Sequence, residues 1–306
     1  MKAPVLAVFQ KFVRMKTEII SGMAPLAAQY DAYIVDLWGT LHNGIEPLPG
    51  ALDCLERLKA AGKTVALLSN APFRIETVIS VIDKIGVPRE LYDHVLSSGE
   101  MAWRAVAERS DPWHAALGRR AVFIGNDRHR STLDNPHIDE VDEMGDADFV
   151  LCTGPRKPTD TIDDYAAELA AAASRALPMI CANPDREVIR GEAREICAGA
   201  IAEHYETEFA GDVAWHGKPF RSVFDEMLRM LEDPPRARVL MVGDGIHTDI
   251  AGAAAATLDA YLVCGGLHAQ ALGITPGDAP EPAVLEAFLA GHGQSPRYAA
   301  ARLRWE

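Results

Sequence analysis

The sequence predicts an α/β fold built on a doubly wound parallel sheet. Two observations carry that prediction. Over residues 33–109, short apolar runs alternate with helical stretches in a β-α-β-α-β order, which requires crossover connections and parallel strands. Three apolar runs along the chain also stop on polar residues: Tyr33-Ile34-Val35 on Asp36, residues 64–68 on Ser69-Asn70, and residues 238–242 on Gly243-Asp244. In a parallel sheet such ends share one edge, the edge at which open α/β sheets bind ligands.

The elements follow in order. Residues 1–20 carry Lys2, Lys11, Arg14 and Lys16 before the first acid, Glu18, and predict an amphipathic lead-in helix. The apolar run 4–9 is too short for a signal-peptide core. After the strand at 33–35, Asn43-Gly44 marks a turn within 42–48. Pro49 suits the first turn of a helix over 51–60, with Leu52, Leu55 and Leu58 on one face and Gly62 as its stop. A strand at 64–68, a helix at 74–85 ended by Gly86, a strand at 94–96 and a helix at 100–109 complete the first half.

Asp111-Pro112 and Gly118 then mark a linker. A strand at 121–124 ends in Gly125-Asn126-Asp127, and 127–148 is rich in acids and turn formers. A strand at 149–152 precedes an alanine-rich helix at 159–175, which starts on a Thr161-x-x-Asp164 box. A strand at 179–182 closes on Asn183-Pro184-Asp185. Residues 110–189 therefore read as a smaller α/β unit inserted into a core made of 1–109 and 190–306. A helix at 192–205 places Ile196, Ala200, Ile201 and Tyr205 at helical spacing. Trp215-His216-Gly217-Lys218-Pro219 leads into a helix at 221–231. A strand at 238–242, a helix at 250–256 and a strand at 260–264 follow. The tail is loop-rich, with a last helical stretch at 297–305.

Composition narrows the function. The 306 residues are 48% hydrophobic and 24% charged, ordinary for a globular protein, with a formal charge of −14. Such an acidic chain is repelled by nucleic acid and by anionic membrane, so neither is expected as a partner. No apolar run reaches the roughly 18 residues of a membrane span. The five cysteines are widely spaced and form no C-x-x-C pair, which fits reduced thiols in the cytoplasm rather than a zinc site.

The polar strand ends carry the chemistry. Asp36 is a nucleophile for phosphoryl transfer or a strand-end carboxylate bonding its own turn. Asp36, Asp244 and Asp249 gather carboxylates that repel one another without a cation, and hard oxygen ligands without Cys or clustered His favour Mg²⁺. Ser69 offers a hydroxyl, and the backbone N–H groups after it cradle a phosphate oxygen. Lys218, between Gly217 and Pro219, supplies a fixed positive charge. Together these groups stabilise a phosphoryl group in transfer. Each motif alone also fits a plain structural role: a surface lysine, a helix cap, a glycine turn. The argument rests on their order and their shared place after strands.

The set Asp36-x-Trp38-Gly39-Thr40, Ser69-Asn70, Lys218 and Gly243-Asp244-Gly245-x-x-Thr248-Asp249 resembles the haloacid dehalogenase (HAD) superfamily. Asn183-Pro184-Asp185 and Gly217-Lys218-Pro219 resemble its subfamily IIA branch, that of the NagD-like and pyridoxal phosphate phosphatases. The resemblance covers about residues 30–265. It implies a Rossmannoid core with an α/β cap inserted after the third core strand. It further implies Asp36 as nucleophile and, with Asp244 and the Trp38 backbone carbonyl, as ligand to Mg²⁺, with Asp249 in support. Ser69, Asn70, Gly39 and Lys218 would bind phosphate, and Asn183 and Asp185 would lie at the cap–core junction near the substrate. A homodimer is implied by analogy alone.

One position departs from the family. Related phosphatases carry a second Asp two residues past the nucleophile, which protonates the leaving group. Trp38 stands there, and an indole exchanges no proton at neutral pH. General acid–base help contributes about 10²–10⁴ in rate. The indole is expected to point toward the leaving group, and His42 is the substitute acid to weigh against its plainer role as a loop histidine. Dehalogenases of the superfamily also lack the second Asp, but they need no metal.

The expected function is thus Mg²⁺-dependent hydrolysis of a small phosphomonoester (a sugar phosphate, nucleotide or vitamin phosphate) through an aspartyl-phosphate. A phospho-metabolite binding protein with weak turnover and a metal-independent haloacid dehalogenase are the alternatives.

Overall fold

The computed structural model describes residues 16–190, 193–275 and 277–306. The described chain opens with β1 (Glu18–Ile19). β2 (Ala32–Asp36) is buried at every position, as a parallel strand covered on both faces must be. α1 (Ala51–Ala60), β3 (Thr64–Ser69), α2 (Ile75–Ile85), β4 (His94–Ser97), α3 (Ser98–Glu108) and α4 (Pro112–Ala115) follow. The chain then forms β5 (Arg120–Ile124), β6 (Asp139–Glu140), β7 (Phe149–Cys152), α5 (Ala166–Ser174), β8 (Met179–Cys181), β9 (Glu187–Arg190), β10 (Ala193–Ile196), α6 (Ala198–Phe209) and β11 (Val213–Trp215). It finishes with α7 (Arg221–Met230), β12 (Val239–Gly243), α8 (Ala251–Ala255), β13 (Asp259–Val263), α9 (Pro282–Gly291) and β14 (Tyr298–Ala300).

Seven strands pair in the order β1-β14-β13-β12-β2-β3-β4, every pair parallel. The chain winds outward from β2 through β3 to β4, then returns to β12 and winds the other way. The switch point therefore falls between β2 and β12, where Val35 pairs with Val242. Asp36 and Asp244 leave those two strand ends side by side, at the crevice such sheets use for ligands. Alternation sorts the core: Tyr33, Val35, Val65 and Leu67 pack with Leu55 and Leu58 of α1 and Ile82 of α2. Ile34, Ala66, Leu68 and Met241 pack on the other face with Phe224 and Met227 of α7.

A second parallel sheet has the order β11-β8-β7-β5-β6. Val122, Ile124, Val150 and Cys152 pack under Leu169 of α5 and Ile201 and Tyr205 of α6. Phe123, Leu151 and Ile180 face Ala102 and Val106 of α3. The doubly wound parallel α/β reading is borne out, and the Thr161–Asp164 capping box is present.

Several expectations are corrected. The second sheet does not end near residue 189, because β11 pairs with β8 and α6 covers the same face. Residues 193–196 are a strand rather than the start of a helix: they pair with β9 in an antiparallel ribbon, and the helix begins at Ala198. Tertiary pairing overrides the helical spacing of Ile196 there. The tail helix at 297–305 is absent. Residues 298–300 form β14, which pairs with β13, while the helix of the tail is α9, with Pro282 in its first turn and Glu281 accepting from Val284 N–H. The lead-in helix expected over 1–20 lies mostly outside the described residues, and Glu18–Ile19 is a strand beside β14. All five cysteines are buried, and none is in a disulfide among the described residues. Among the described residues no helix is long and apolar enough to cross a membrane.

Candidate active site

Asp36 ends β2 and is buried. The chain then turns at Gly39, whose φ is +78°, a left-handed conformation that costs glycine little. A Cβ there would lie 2.0 Å from Asp244 Oδ2, so only glycine lets this loop meet β12. Asp244 follows β12, and its Oδ2 accepts from Leu267 N–H at 2.7 Å. Asp249 sits in a π-helical turn, Ile246–Ile250, a conformation frequent at functional sites. Its Oδ2 accepts from Gly245 N–H at 2.9 Å. Asp36, Asp244 and Asp249 each bring a carboxylate oxygen within 4.8 Å of the other two, and all three residues are buried.

Lys218 enters this cluster and is 2% exposed. Its Nζ pairs with Asp36 Oδ1, lies 2.7 Å from Asp249 Oδ1 and donates to the Leu68 carbonyl at 3.2 Å. Burial raises the Asp36 and Asp244 carboxyls above their ordinary value, and the neighbouring carboxylates push Asp244 further. Burial likewise lifts Asp249 to about 6, against the pull of Lys218. Burial opposes the ammonium charge of Lys218, but Asp249 and Asp36 outweigh it and hold the lysine above its usual range.

Three carboxylates against one ammonium leave two negative charges uncompensated in a buried site. The cluster is under-neutralised as it stands, and a divalent cation with hard oxygen ligands would balance it. The residues fit such an ion.

Ser69, the last residue of β3, accepts from Ala71 N–H at 3.1 Å through its hydroxyl oxygen, which leaves the hydroxyl proton to donate. The Asn70 side chain is fully committed within the protein. Its Nδ2 donates to Asp185 Oδ1 at 2.8 Å and to the Lys218 carbonyl at 3.0 Å. Its Oδ1 accepts from Lys218 N–H at 2.7 Å and from the Ser98 hydroxyl at 3.1 Å. Asn70 thus shapes the site with its side chain rather than offering that side chain to phosphate. Asn183 holds the turn that carries Asp185, its Oδ1 accepting from Asp185 N–H at 3.0 Å.

Trp38 packs on the flap. Its ring meets His42 edge-on with centroids 5.9 Å apart, and a Cβ at Gly44 would lie 2.4 Å from Trp38 Cη2. His42 is buried, its Nδ1 accepts from Gly44 N–H at 3.0 Å, and burial pulls its imidazole down to about 4. A neutral histidine held to the flap backbone does not fit the role of substitute acid.

Some contributors escaped the sequence reading. Ser98 sits one residue past β4 on the same sheet edge, a polar strand end of the kind that flagged Ser69. Leu267 follows Gly265-Gly266 after β13, again on that edge. Asp111, His114 and His216 tie together the two passages between the sheets. His114 Nδ1 lies 2.6 Å from Asp111 Oδ2, and the two Nε2 atoms are 3.2 Å apart. Nothing local in the sequence signals that pairing.

A switch-point carboxylate pair, a third buried carboxylate and an enclosed lysine form one buried charged centre at the ligand-binding edge of a doubly wound α/β sheet. Comparison with known proteins agrees. Residues 33–139 match the family model for haloacid dehalogenase-like hydrolases, and residues 215–292 match a second, HAD-hydrolase-like model. A solved hydrolase of the haloacid dehalogenase-like family from Brucella suis 1330 is 33% identical, with a TM-score of 0.79 over 93% of this chain and 100% of that one. The chain belongs to the haloacid dehalogenase-like hydrolases. The D-glycerol 3-phosphate phosphatase of Mycobacterium tuberculosis is 24% identical over 80% of this chain; the match spans 66% of that protein's length. The glycerol phosphate phosphatase Rv1692 of M. tuberculosis, solved with magnesium, has a TM-score of 0.62 at 20% identity, over 88% of this chain and 78% of that one.

Proposed function

We propose that the protein is a Mg²⁺-dependent phosphohydrolase that cleaves a small phosphomonoester through an aspartyl-phosphate on Asp36. The observation that carries this reading is the buried, under-neutralised trio Asp36, Asp244 and Asp249 with Lys218 inserted into it. Asp36, Asp244 and the Trp38 carbonyl would hold the ion, with Asp249 supporting them. When bound, Mg²⁺ supplies charge neutralisation for the phosphoryl oxygens. Asp36 attacks phosphorus with the carboxylate oxygen that Lys218 now pairs. Lys218 then neutralises phosphoryl charge, and the Ser69 hydroxyl donates to a phosphoryl oxygen. Asn70 fixes Lys218 rather than touching the ester.

The second sheet acts as the cap in this reading. We place the core at residues 16–109 and 217–306, with α3 packed on the second sheet, and the cap at 110–216, which extends the sequence boundary to include α6 and β11. A glycerol phosphate is the first substrate to test, since the mycobacterial relatives are named for it; sugar, nucleotide and vitamin phosphates follow. Five buried cysteines outside any disulfide fit a reducing cytoplasm, and a cap-mediated homodimer belongs to the same reading. Weak turnover of a bound phospho-metabolite is the second reading, favoured by Trp38 at the acid position.

The test is phosphate release from glycerol 3-phosphate and p-nitrophenyl phosphate, with Mg²⁺ and with EDTA. Magnesium-dependent release supports the proposal. Binding of the esters without release supports the second reading. Hydrolysis of haloacids that EDTA leaves untouched would overturn both.

A further inference from the structure

The phosphohydrolase reading leaves the leaving oxygen without a proton source, since Trp38 carries none and His42 is neutral and bound to Gly44. We propose that Asp185 is the general acid that protonates the leaving group. This inference rests on the reading of the site given above.

The geometry supports it at three points. Asp185 follows β8 through Asn183-Pro184, so the second sheet delivers it to Asn70 at the end of β3 in the first. It is anchored there, because Asn70 Nδ2 donates to its Oδ1 at 2.8 Å while gripping the Lys218 backbone at 2.7 and 3.0 Å. Lys218 Nζ in turn pairs with Asp36. Nucleophile and proposed acid are therefore held by one connected set of contacts. Finally, Asp185 is only partly buried, and its Oδ2 takes no hydrogen bond among the described residues, which leaves that oxygen open to a ligand.

A carboxylate in this position makes a poor phosphate ligand, because it repels the dianion. A carboxylic acid there is a donor. Burial raises the Asp185 carboxyl, Asp249 adds to the rise, and Asn70 and Lys218 oppose it; Asp185 in turn helps to raise Asp36. A raised carboxyl holds its proton closer to neutral pH, where a general acid works best.

The step balances. A bond forms from an Asp36 oxygen to phosphorus as the bond to the ester oxygen breaks. The Asp185 proton moves to that oxygen, and the alcohol leaves. Water then attacks phosphorus and gives up its proton to solvent, from which Asp185, now a carboxylate, is reprotonated. The Asp36–phosphorus bond breaks, and inorganic phosphate departs.

The test uses Asp185→Asn, which keeps an acceptor for Asn70 but exchanges no proton. Turnover of an aryl phosphate and an alkyl phosphate is measured with Mg²⁺ for both proteins. The aryl ester needs little protonation, so its rate is expected to stay within about threefold, while the alkyl rate falls by about 10²-fold. Equal losses on both esters would assign Asp185 to holding Asn70 and overturn the proposal, as would an unchanged alkyl rate. Wild type gives an independent measurement that does not depend on the variant's folding: its rate across a series of leaving groups is expected to vary little, and a steep dependence overturns the proposal. Absence of any ester hydrolysis by wild type would instead remove the phosphohydrolase reading itself.

Discussion

Asn70 holds Lys218 by both of its backbone groups, its Oδ1 accepting from Lys218 N–H at 2.7 Å and its Nδ2 donating to the Lys218 carbonyl at 3.0 Å. The end of β3 thereby fixes a lysine 148 positions further along the chain. The long side chain of that lysine then reaches the carboxylate of β2.

Asn70→Ala leaves both groups of a buried backbone unpaired, at about 1–3 kcal/mol for each. The variant is expected to unfold at lower denaturant and to raise KM for the ester, because Lys218 is no longer aimed. Urea titration and steady-state kinetics check this. An unchanged KM would mean that Gly217 and Pro219 position Lys218 without help.

Asp36→Asn is expected to reduce phosphate release to background while the fold persists. Stability should hold or rise, because the change removes one of three crowded carboxylates. Thermal melting and a phosphate assay give the two readouts. Wild-type turnover in this variant would assign the nucleophile elsewhere.

Asp244→Asn removes one carboxylate of the proposed cation site and is expected to weaken Mg²⁺ binding. In wild type, Mg²⁺ at a hundredfold excess over its Kd is expected to stabilise the fold by about 2.7 kcal/mol. The variant should need far more Mg²⁺ for the same shift in melting temperature. A shift at the wild-type concentration would place the ion outside this cluster.

The metal-free protein carries a pH signature from the same carboxylates. Burial raises Asp249 to about 6 in the folded state, above the value near 3.9 of an unfolded aspartate. Between about pH 4 and pH 6 the folded state therefore keeps a proton that the unfolded state has released. Its contribution is full below pH 4 and is lost as pH rises through 6. Compared in EDTA, wild type should lose stability relative to Asp249→Asn over that window. Parallel curves for the two proteins would mean that Lys218 already holds Asp249 ionised.

Trp38→Asp restores a carboxyl two residues past the nucleophile. In the Asp185→Asn background it is expected to raise alkyl phosphate turnover, by up to about 10²-fold. The gain is smaller if the Asp is held out of line, since Gly44 and His42 are shaped around an indole. The rate on alkyl esters in the double variant is the measurement. No gain would mean that a carboxyl at position 38 cannot reach the leaving oxygen.

The chain alone was enough for the parallel sheet and for its reactive edge. Strand–helix alternation and apolar runs ending on Asp36, Ser69 and Asp244 are local patterns, and the crossover rule for parallel strands then places those ends together. Tertiary structure decided the rest. Residues 193–196 and 298–300 are strands because partners distant in sequence or across a tight ribbon offer them ladders, which outweigh a helical periodicity. The reach of the second sheet to β11, the commitment of Asn70 to Lys218, and the anchoring of Asp185 on Asn70 are likewise beyond any local signal. They depend on which side chains satisfy one another once both sheets are folded, and no spacing along the sequence encodes that.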